Sequence, residues 1–263
     1  MPIISVDGAR VDVVETGSGR DLVILHSLLG DRSAFDRVVP ALARNHRLWL
    51  INLPGYGEST AAGASIADYA DHVARVVHAL GLSADTDVLG NGLGGFIAVA
   101  LACRHGALFD RLIVADALAV FPAEGKEPLR LMAKRVQVQG MSGVLDAAIQ
   151  RMFAPAFIAA NPAIVAERKE ALAKANPQCF EVACGALAQV DLEPLLAYIR
   201  NPTLAMAGAL DAATPAPLVH RLAEAIPRAK FVEIAECGHC PQLEKPETFV
   251  KIVEEFAGRH RRP

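Results

Sequence analysis

The chain has 263 residues, enough for one large α/β domain or two small ones. Hydrophobic residues make up 52% of it, which excludes a disordered chain, and 26 Lys and Arg against 29 Asp and Glu exclude a polyanion-binding surface. Aromatics are only 5%, so Ala, Leu and Val must fill the core, a composition suited to helices packed closely on a sheet.

Ile3–Val6 and Val11–Val14 flank Asp7-Gly8 and read as a hairpin with an Asp-Gly turn. Leu22–Leu25 is an apolar run fit for a strand buried on both faces. A helical pattern follows over 33–44, interrupted by Pro40, and Leu48–Ile51 is the next strand. Ile66–Leu80 has helical spacing and stops at Gly81. Thr86–Leu89 is predicted as a strand, Gly94–Arg104 as a helix and Leu112–Ala115 as a strand. Strands alternating with such helices imply a mostly parallel sheet covered on both sides.

Beyond Leu118 the rhythm changes. Helical segments over 127–139, 142–153, 162–174 and 178–190 follow one another with no strand between them. This block, 118–192, reads as a helical cap inserted into a core made of 1–117 and 193–263. Strands resume at Thr203–Met206 and Lys230–Ile234, and Pro246–Phe256 is the closing helix. Met1–Ile4 carries neither a basic run nor a long apolar stretch, and the most apolar segment, Phe96–Cys103, is too short to span a bilayer; the cytoplasm is the expected compartment. The basic tail Arg259-His260-Arg261-Arg262 is expected to be a solvated end, not a nucleic-acid contact.

The five cysteines, at 103, 179, 184, 237 and 240, form no disulfide framework. Cys237-Gly238-His239-Cys240 lacks a second ligand pair at metal spacing, so no metal is expected, and no other cofactor is required.

Five short segments each follow a predicted strand: His26–Gly30, Asn52–Ser59, Gly90–Gly95, Gly208–Asp211 and Cys237–Pro241. Together they resemble the α/β-hydrolase superfamily, and within it the small capped group that includes 3-oxoadipate enol-lactonases and meta-cleavage-product hydrolases. The resemblance covers nearly the whole chain and implies an α/β-hydrolase fold. The family's H-G-x-x-G appears with Ser27 in place of glycine, and its D-x-P/R-G-x-G-x-S with Asn52 in place of Asp. G-x-x-D and G-H-x-P-x-x-E are matched by Gly208–Asp211 and Gly238–Glu244. The departure that matters most is at the nucleophile turn. The pattern G-x-S-x-G places serine at its centre, and here the centre is Gly92, which has no atom to attack a carbonyl.

The resemblance implies a general base in His239, oriented by Asp211, with Gly92 as a vacant nucleophile position. It implies an oxyanion hole from the N–H groups of Leu28 and Leu93, which are backbone donors and survive a change of side chain. Ser27 and Asn91 are candidate substrate contacts, Asp116 is a second acid in the region, and Glu244 is expected to anchor the histidine loop. The lesser alternative for Asp211 is a cap of the turn or helix before Thr214-Pro215. Phe121, Met132, Met152, Phe153 and Phe157 are candidate pocket walls, and Arg130, Arg135 and Arg151 could meet a substrate carboxylate.

Three readings stand side by side. The leading one is an enzyme that uses the His–Asp base and oxyanion hole on a small ester, lactone or diketone-like C–C substrate without a serine nucleophile, with lyase-like chemistry also within reach. The others are a ligand-binding protein that has lost turnover, and a serine hydrolase whose nucleophile was replaced by Gly92. The expected partner is a small molecule, with no nucleic acid and no membrane.

Overall fold

The structure, a computed structural model, describes residues 3–258, so the basic tail over 259–262 lies outside the described residues. Eight strands form one sheet: β1 (Ile3–Val6), β2 (Ala9–Gly17), β3 (Arg20–Leu25), β4 (His46–Ile51), β5 (Asp87–Asn91), β6 (Leu112–Ala115), β7 (Thr203–Gly208) and β8 (Lys230–Ile234). Their spatial order is β1-β2-β4-β3-β5-β6-β7-β8. β1 and β2 pair antiparallel, as do β2 and β4, and every later pairing is parallel. The Asp-Gly turn joins β1 and β2 with both residues at positive φ, 49° and 82°, the conformation of a type I′ hairpin turn.

The helices are α1 (Val39–Leu42), α2 (Ile66–Ala79), α3 (Leu93–His105), α4 (Ala123–Gln139), α5 (Leu145–Met152), α6 (Pro155–Ala160), α7 (Pro162–Ala173), α8 (Pro177–Gln189), α9 (Ala216–Ala225), α10 (Pro241–Glu244) and α11 (Pro246–Gly258). α2 begins with a reciprocal cap, Ser65 accepting from the Asp68 N–H while Asp68 accepts from the Ser65 N–H. It ends before Gly81, whose φ is +67°. No helix among the described residues is long and apolar enough to cross a membrane.

Two helical expectations are corrected. The segment 33–44 is not one helix but a 3-10 turn at Arg32–Phe35 followed by the four-residue α1. Pro40 lacks an N–H and fits only the first turn of a helix, so it starts a new one instead of continuing the old. The segment 142–153 likewise divides into a 3-10 turn, Met141–Val144, and α5. The sequence pattern also missed α6, α9 and α10, all short and each opened by a proline within or just before its first turn.

Helices α4–α8 form a block between β6 and β7. The block leaves and rejoins the sheet at adjacent points, where Val120 and Asp191 make an antiparallel bridge and the Leu192 N–H donates to the Ala119 carbonyl at 3.0 Å. Its apolar faces are continuous with the core over one side of the sheet: Phe121, Leu129, Met132 and Leu187 pack in the same cluster as Phe96 and Leu93 of α3. Phe96 stacks on Phe121 with ring centroids 5.1 Å apart. A second cluster on the opposite face joins Phe35 and Leu42 to Phe249 and Val253 of α11.

Candidate active site

In a parallel sheet the loops at the carboxyl ends of neighbouring strands converge, which makes that edge the usual place for a site. Ser27 follows β3, Gly92 follows β5, Asp116 follows β6, Asp211 follows β7 and His239 follows β8. All five are buried.

The turn from β5 into α3 hinges on Gly92, with φ 54° and ψ −120°, a conformation that L side chains rarely adopt. The glycines beside it permit close approach: a Cβ on Gly94 would fall 2.3 Å from the Leu25 carbonyl oxygen. The turn therefore presses α3 against the end of β3. Leu93 is the first residue of α3, so its N–H is among the donors a helix leaves unpaired at its start. Neither it nor the Leu28 N–H donates to another group among the described residues.

The loop carrying Ser27 and Leu28 is held from several directions. Leu53 N–H donates to His26 Nε2 at 2.9 Å, so the His26 proton is on Nδ1, which donates to the Ser27 carbonyl at 2.8 Å. Burial holds His26 neutral by lowering its pKa to about 4. The Tyr56 hydroxyl donates to the Leu28 carbonyl at 2.5 Å, and its ring lies edge-on to His26 with centroids 4.6 Å apart. Tyr56 is thus a clamp on this loop.

His239 Nδ1 lies 2.8 Å from Asp211 Oδ2. Burial raises the Asp211 pKa, but the neighbouring His239 and the hydrogen bonds from it and from Thr214 outweigh that and hold it at about 2. Asp211 is therefore an ionised acceptor. The His239 proton must then sit on Nδ1, leaving Nε2 bare toward Gly92. Asp211 also accepts from the Ala213 N–H at 2.7 Å, the Thr214 N–H at 3.1 Å and the Thr214 hydroxyl at 2.5 Å. The turn-capping role and the histidine-facing role are both filled by the same carboxylate. Thr214 is a positioning residue that sequence reasoning missed; the signal was its place three residues after Asp211.

The histidine loop is tied on both sides. The His239 N–H donates to the Met152 carbonyl at 2.9 Å. Glu244 accepts from the Gly238 N–H at 2.9 Å and from the Ala154 N–H at 3.2 Å, so it anchors the loop as expected and joins it to the helical block. Asn91 differs from its expected role. It is fully buried, its amide nitrogen donates to the carbonyls of His239 at 3.1 Å and Ala115 at 3.3 Å, and its oxygen accepts from Gln242 at 3.1 Å. That leaves it as a brace for the loop, with no group facing a substrate.

Asp116 is buried behind Asp211 with φ 52° and accepts from the Gly208 N–H at 2.9 Å. Burial first, and the Asp211 charge second, push its pKa well above the ordinary carboxylate value, which favours its protonated form. Asp116, Asp211 and His239 bring donor atoms within 4.8 Å of one another. A carboxylate and an imidazole already bonded to each other, beside an acid whose burial opposes its ionisation, make a poor donor set for a cation. Cys237 and Cys240 are buried, and burial raises both thiol pKa values, which keeps them protonated and unreactive.

A Cβ built on Gly92 would fall 2.6 Å from Ser27 Oγ and 2.8 Å from His239 Nε2. Both groups face the space in front of the turn. They also border a small cleft of about 30 Å³, whose other walls include Leu28, Leu93, Phe96, Phe121, Met132 and Arg151. Of the expected pocket walls, Phe121 and Met132 line this cleft and Met152, Phe153 and Phe157 do not. Of the three arginines, Arg151 lines it while Arg130 and Arg135 are exposed on α4.

Residues 22–252 match the Alpha/beta hydrolase family. The chain belongs to that family. Among curated relatives, the pimeloyl-acyl-carrier protein methyl ester esterase of Aeromonas hydrophila is 31% identical over 259 residues, covering 94% of this chain and 99% of the relative. A thermophilic esterase from Thermogutta terrifontis, solved with malate bound, superposes with a TM-score of 0.91 at 26% identity, over 98% of this chain and 99% of that one. The enol-lactonase from Burkholderia xenovorans LB400 does so with a TM-score of 0.91 at 25% identity, over 98% and 100%. The fold is that of the α/β hydrolases, and the three proteins just named are a methyl ester esterase, an esterase and an enol-lactonase.

Proposed function

We propose that the chain hydrolyses a small ester or lactone by direct attack of water, with His239 as general base and no acyl-enzyme. The observation that carries this reading is the His239–Asp211 pair, 2.8 Å apart, with the free imidazole nitrogen turned toward Gly92. An intact, oriented base facing a turn without a nucleophile fits water as the attacking group. Gly92 is the vacant nucleophile position, the helices over 118–192 act as a cap, and the N–H groups of Leu28 and Leu93 serve as the oxyanion hole.

The atoms balance in one displacement. His239 Nε2 takes a proton from water as the water oxygen bonds to the carbonyl carbon. The carbonyl oxygen becomes the oxyanion held by the two amides. As the intermediate collapses, the bond to the leaving oxygen breaks and His239 returns the proton to it, giving acid and alcohol. Asp211 keeps the tautomer correct and stabilises the imidazolium without accepting the proton. A triad without its serine retains roughly 10³- to 10⁴-fold catalysis over water from the oxyanion hole and binding, which sets the expected scale for activated esters.

Arg151 narrows the substrate. It is the cation on an otherwise mostly apolar wall, and burial lowers its pKa, so an anion nearby stabilises its charge. A substrate carrying a carboxylate fits this wall, in keeping with the malate bound to the Thermogutta terrifontis esterase. The test is turnover of p-nitrophenyl acetate and of a dicarboxylic acid monomethyl ester by the parent and by His239→Ala. Hydrolysis by the parent that disappears in the variant is expected; tight binding without turnover in either would overturn the reading in favour of a ligand-binding protein.

A further inference from the structure

The space in front of Gly92 is bordered by a second polar group besides the histidine. Ser27 Oγ is 2.6 Å from the point where a Cβ on Gly92 would sit, and His239 Nε2 is 2.8 Å from it. The two are not hydrogen-bonded to each other among the described residues, which does not fit a serine poised for its own deprotonation. Their arrangement does fit a pair of groups that share a third partner small enough to stand between them. The cleft they border, about 30 Å³, has room for a water molecule.

We propose that Ser27 holds the attacking water, its hydroxyl and His239 Nε2 forming the two polar anchors in front of Gly92. This rests on the reading of His239 as the base and extends it with a named group that aims the water. A lone imidazole fixes a water at one point and leaves it free to swing. A second hydrogen bond, from a rigid loop, fixes the oxygen lone pair toward the carbonyl. Ser27 is suited to this because its backbone is immobilised at the carbonyl by His26 Nδ1, at 2.8 Å, and by the Gly30 N–H, at 3.3 Å. Its hydroxyl can donate to the water or accept from it, which suits the oxygen both before and after it loses a proton. The N–H of the next residue, Leu28, faces the same reaction as a proposed oxyanion donor, so one short loop would aim the water and receive the charge. The absence of a side chain on residue 92 suits this role: a Cβ there would crowd both Ser27 Oγ and His239 Nε2, the two groups that hold the water.

The experiment compares the parent with Ser27→Ala, Ser27→Thr and His239→Ala on p-nitrophenyl acetate, after melting curves confirm that each folds. Intact-mass measurement after a fluorophosphonate is run on the parent in parallel. Ser27→Ala is expected to lower kcat roughly 10- to 100-fold, the scale of one hydrogen bond to a developing charge, with KM little changed. Ser27→Thr should recover part of the loss, and the parent should take up no phosphonate. A merely structural serine would move KM or melting temperature and would not be rescued selectively in kcat. Unchanged kcat in Ser27→Ala, with His239→Ala inactive, overturns the water-anchoring role and leaves the base intact. A phosphonate adduct on Ser27 overturns it in favour of a serine that attacks directly. Unchanged turnover in His239→Ala overturns the base itself and this inference with it.

Discussion

Ser27 stands in the volume that any side chain on Gly92 would need: its Oγ lies 2.6 Å and its Cβ 3.0 Å from the position of a Cβ on residue 92. Residues 65 apart in sequence are thus coupled by exclusion. Gly92→Ala should destabilise by about 1–3 kcal/mol from backbone strain at positive φ, with the collision added. In the double variant with Ser27→Gly the collision with Ser27 is gone, while the strain and the 2.8 Å approach to His239 Nε2 remain. A thermal-denaturation cycle should therefore show a coupling of at least ~0.5 kcal/mol, in the direction of rescue. Additive effects would contradict the geometry. The same coupling means that a serine at position 92 would require Ser27 Oγ and His239 Nε2 to shift, so Gly92→Ser should gain more esterase activity together with Ser27→Gly than alone.

Asp211→Asn should lower kcat on p-nitrophenyl acetate roughly 10²-fold, the lower end of what a positioned general base contributes, because the amide favours the wrong imidazole tautomer. Stability should change with pH in a stated direction. The native Asp211 pKa, about 2, is below its ordinary 3.8, so the ion is favoured in the fold. Its contribution is complete above 3.8 and is lost as pH falls from there toward 2. Melting temperatures across that window should fall more steeply in the parent than in the variant.

Asp116 predicts the opposite slope. Its native pKa lies well above 3.8, so the folded state holds a proton that the unfolded state releases, and stability is lost as pH rises above 3.8. Asp116→Asn keeps an acceptor for the Gly208 N–H and has no proton to lose. It should melt higher than the parent at pH 8 and nearly the same at pH 4. A variant that melts lower at both would show that the acid is needed as an acid.

How much of this was legible in the sequence depended on range. The alternation of strand and helix is local, so the sheet and the helices over 66–80 and 94–104 were readable from apolar spacing and from stop signals such as Gly81. The site was readable where strand-end motifs could be matched, which brought out His239, Asp211 and Gly92 together. Ser27 was noticed only as a departure from a glycine; its position against Gly92 depends on how two strands lie side by side. Asn91 was misjudged because adjacency to the turn says nothing about which way a side chain points, and its partners, His239 and Gln242, are about 150 residues away. Proline-opened helices such as α6 escaped because their proline reads as a breaker.

Arg151→Ala should raise KM for a monomethyl dicarboxylate about 10- to 100-fold, the effect of losing a charged hydrogen bond, while p-nitrophenyl acetate is turned over as before. Equal losses on both substrates would place Arg151 in packing instead of recognition.

The bonds from Met152 and Ala154 to the histidine loop have a mechanical meaning. Arg151 of α5 lines the cleft, and the end of that helix is fastened at Met152 to the strip of chain that bears the imidazole. Any displacement of that helix would therefore be passed to the imidazole and not absorbed in a loose joint.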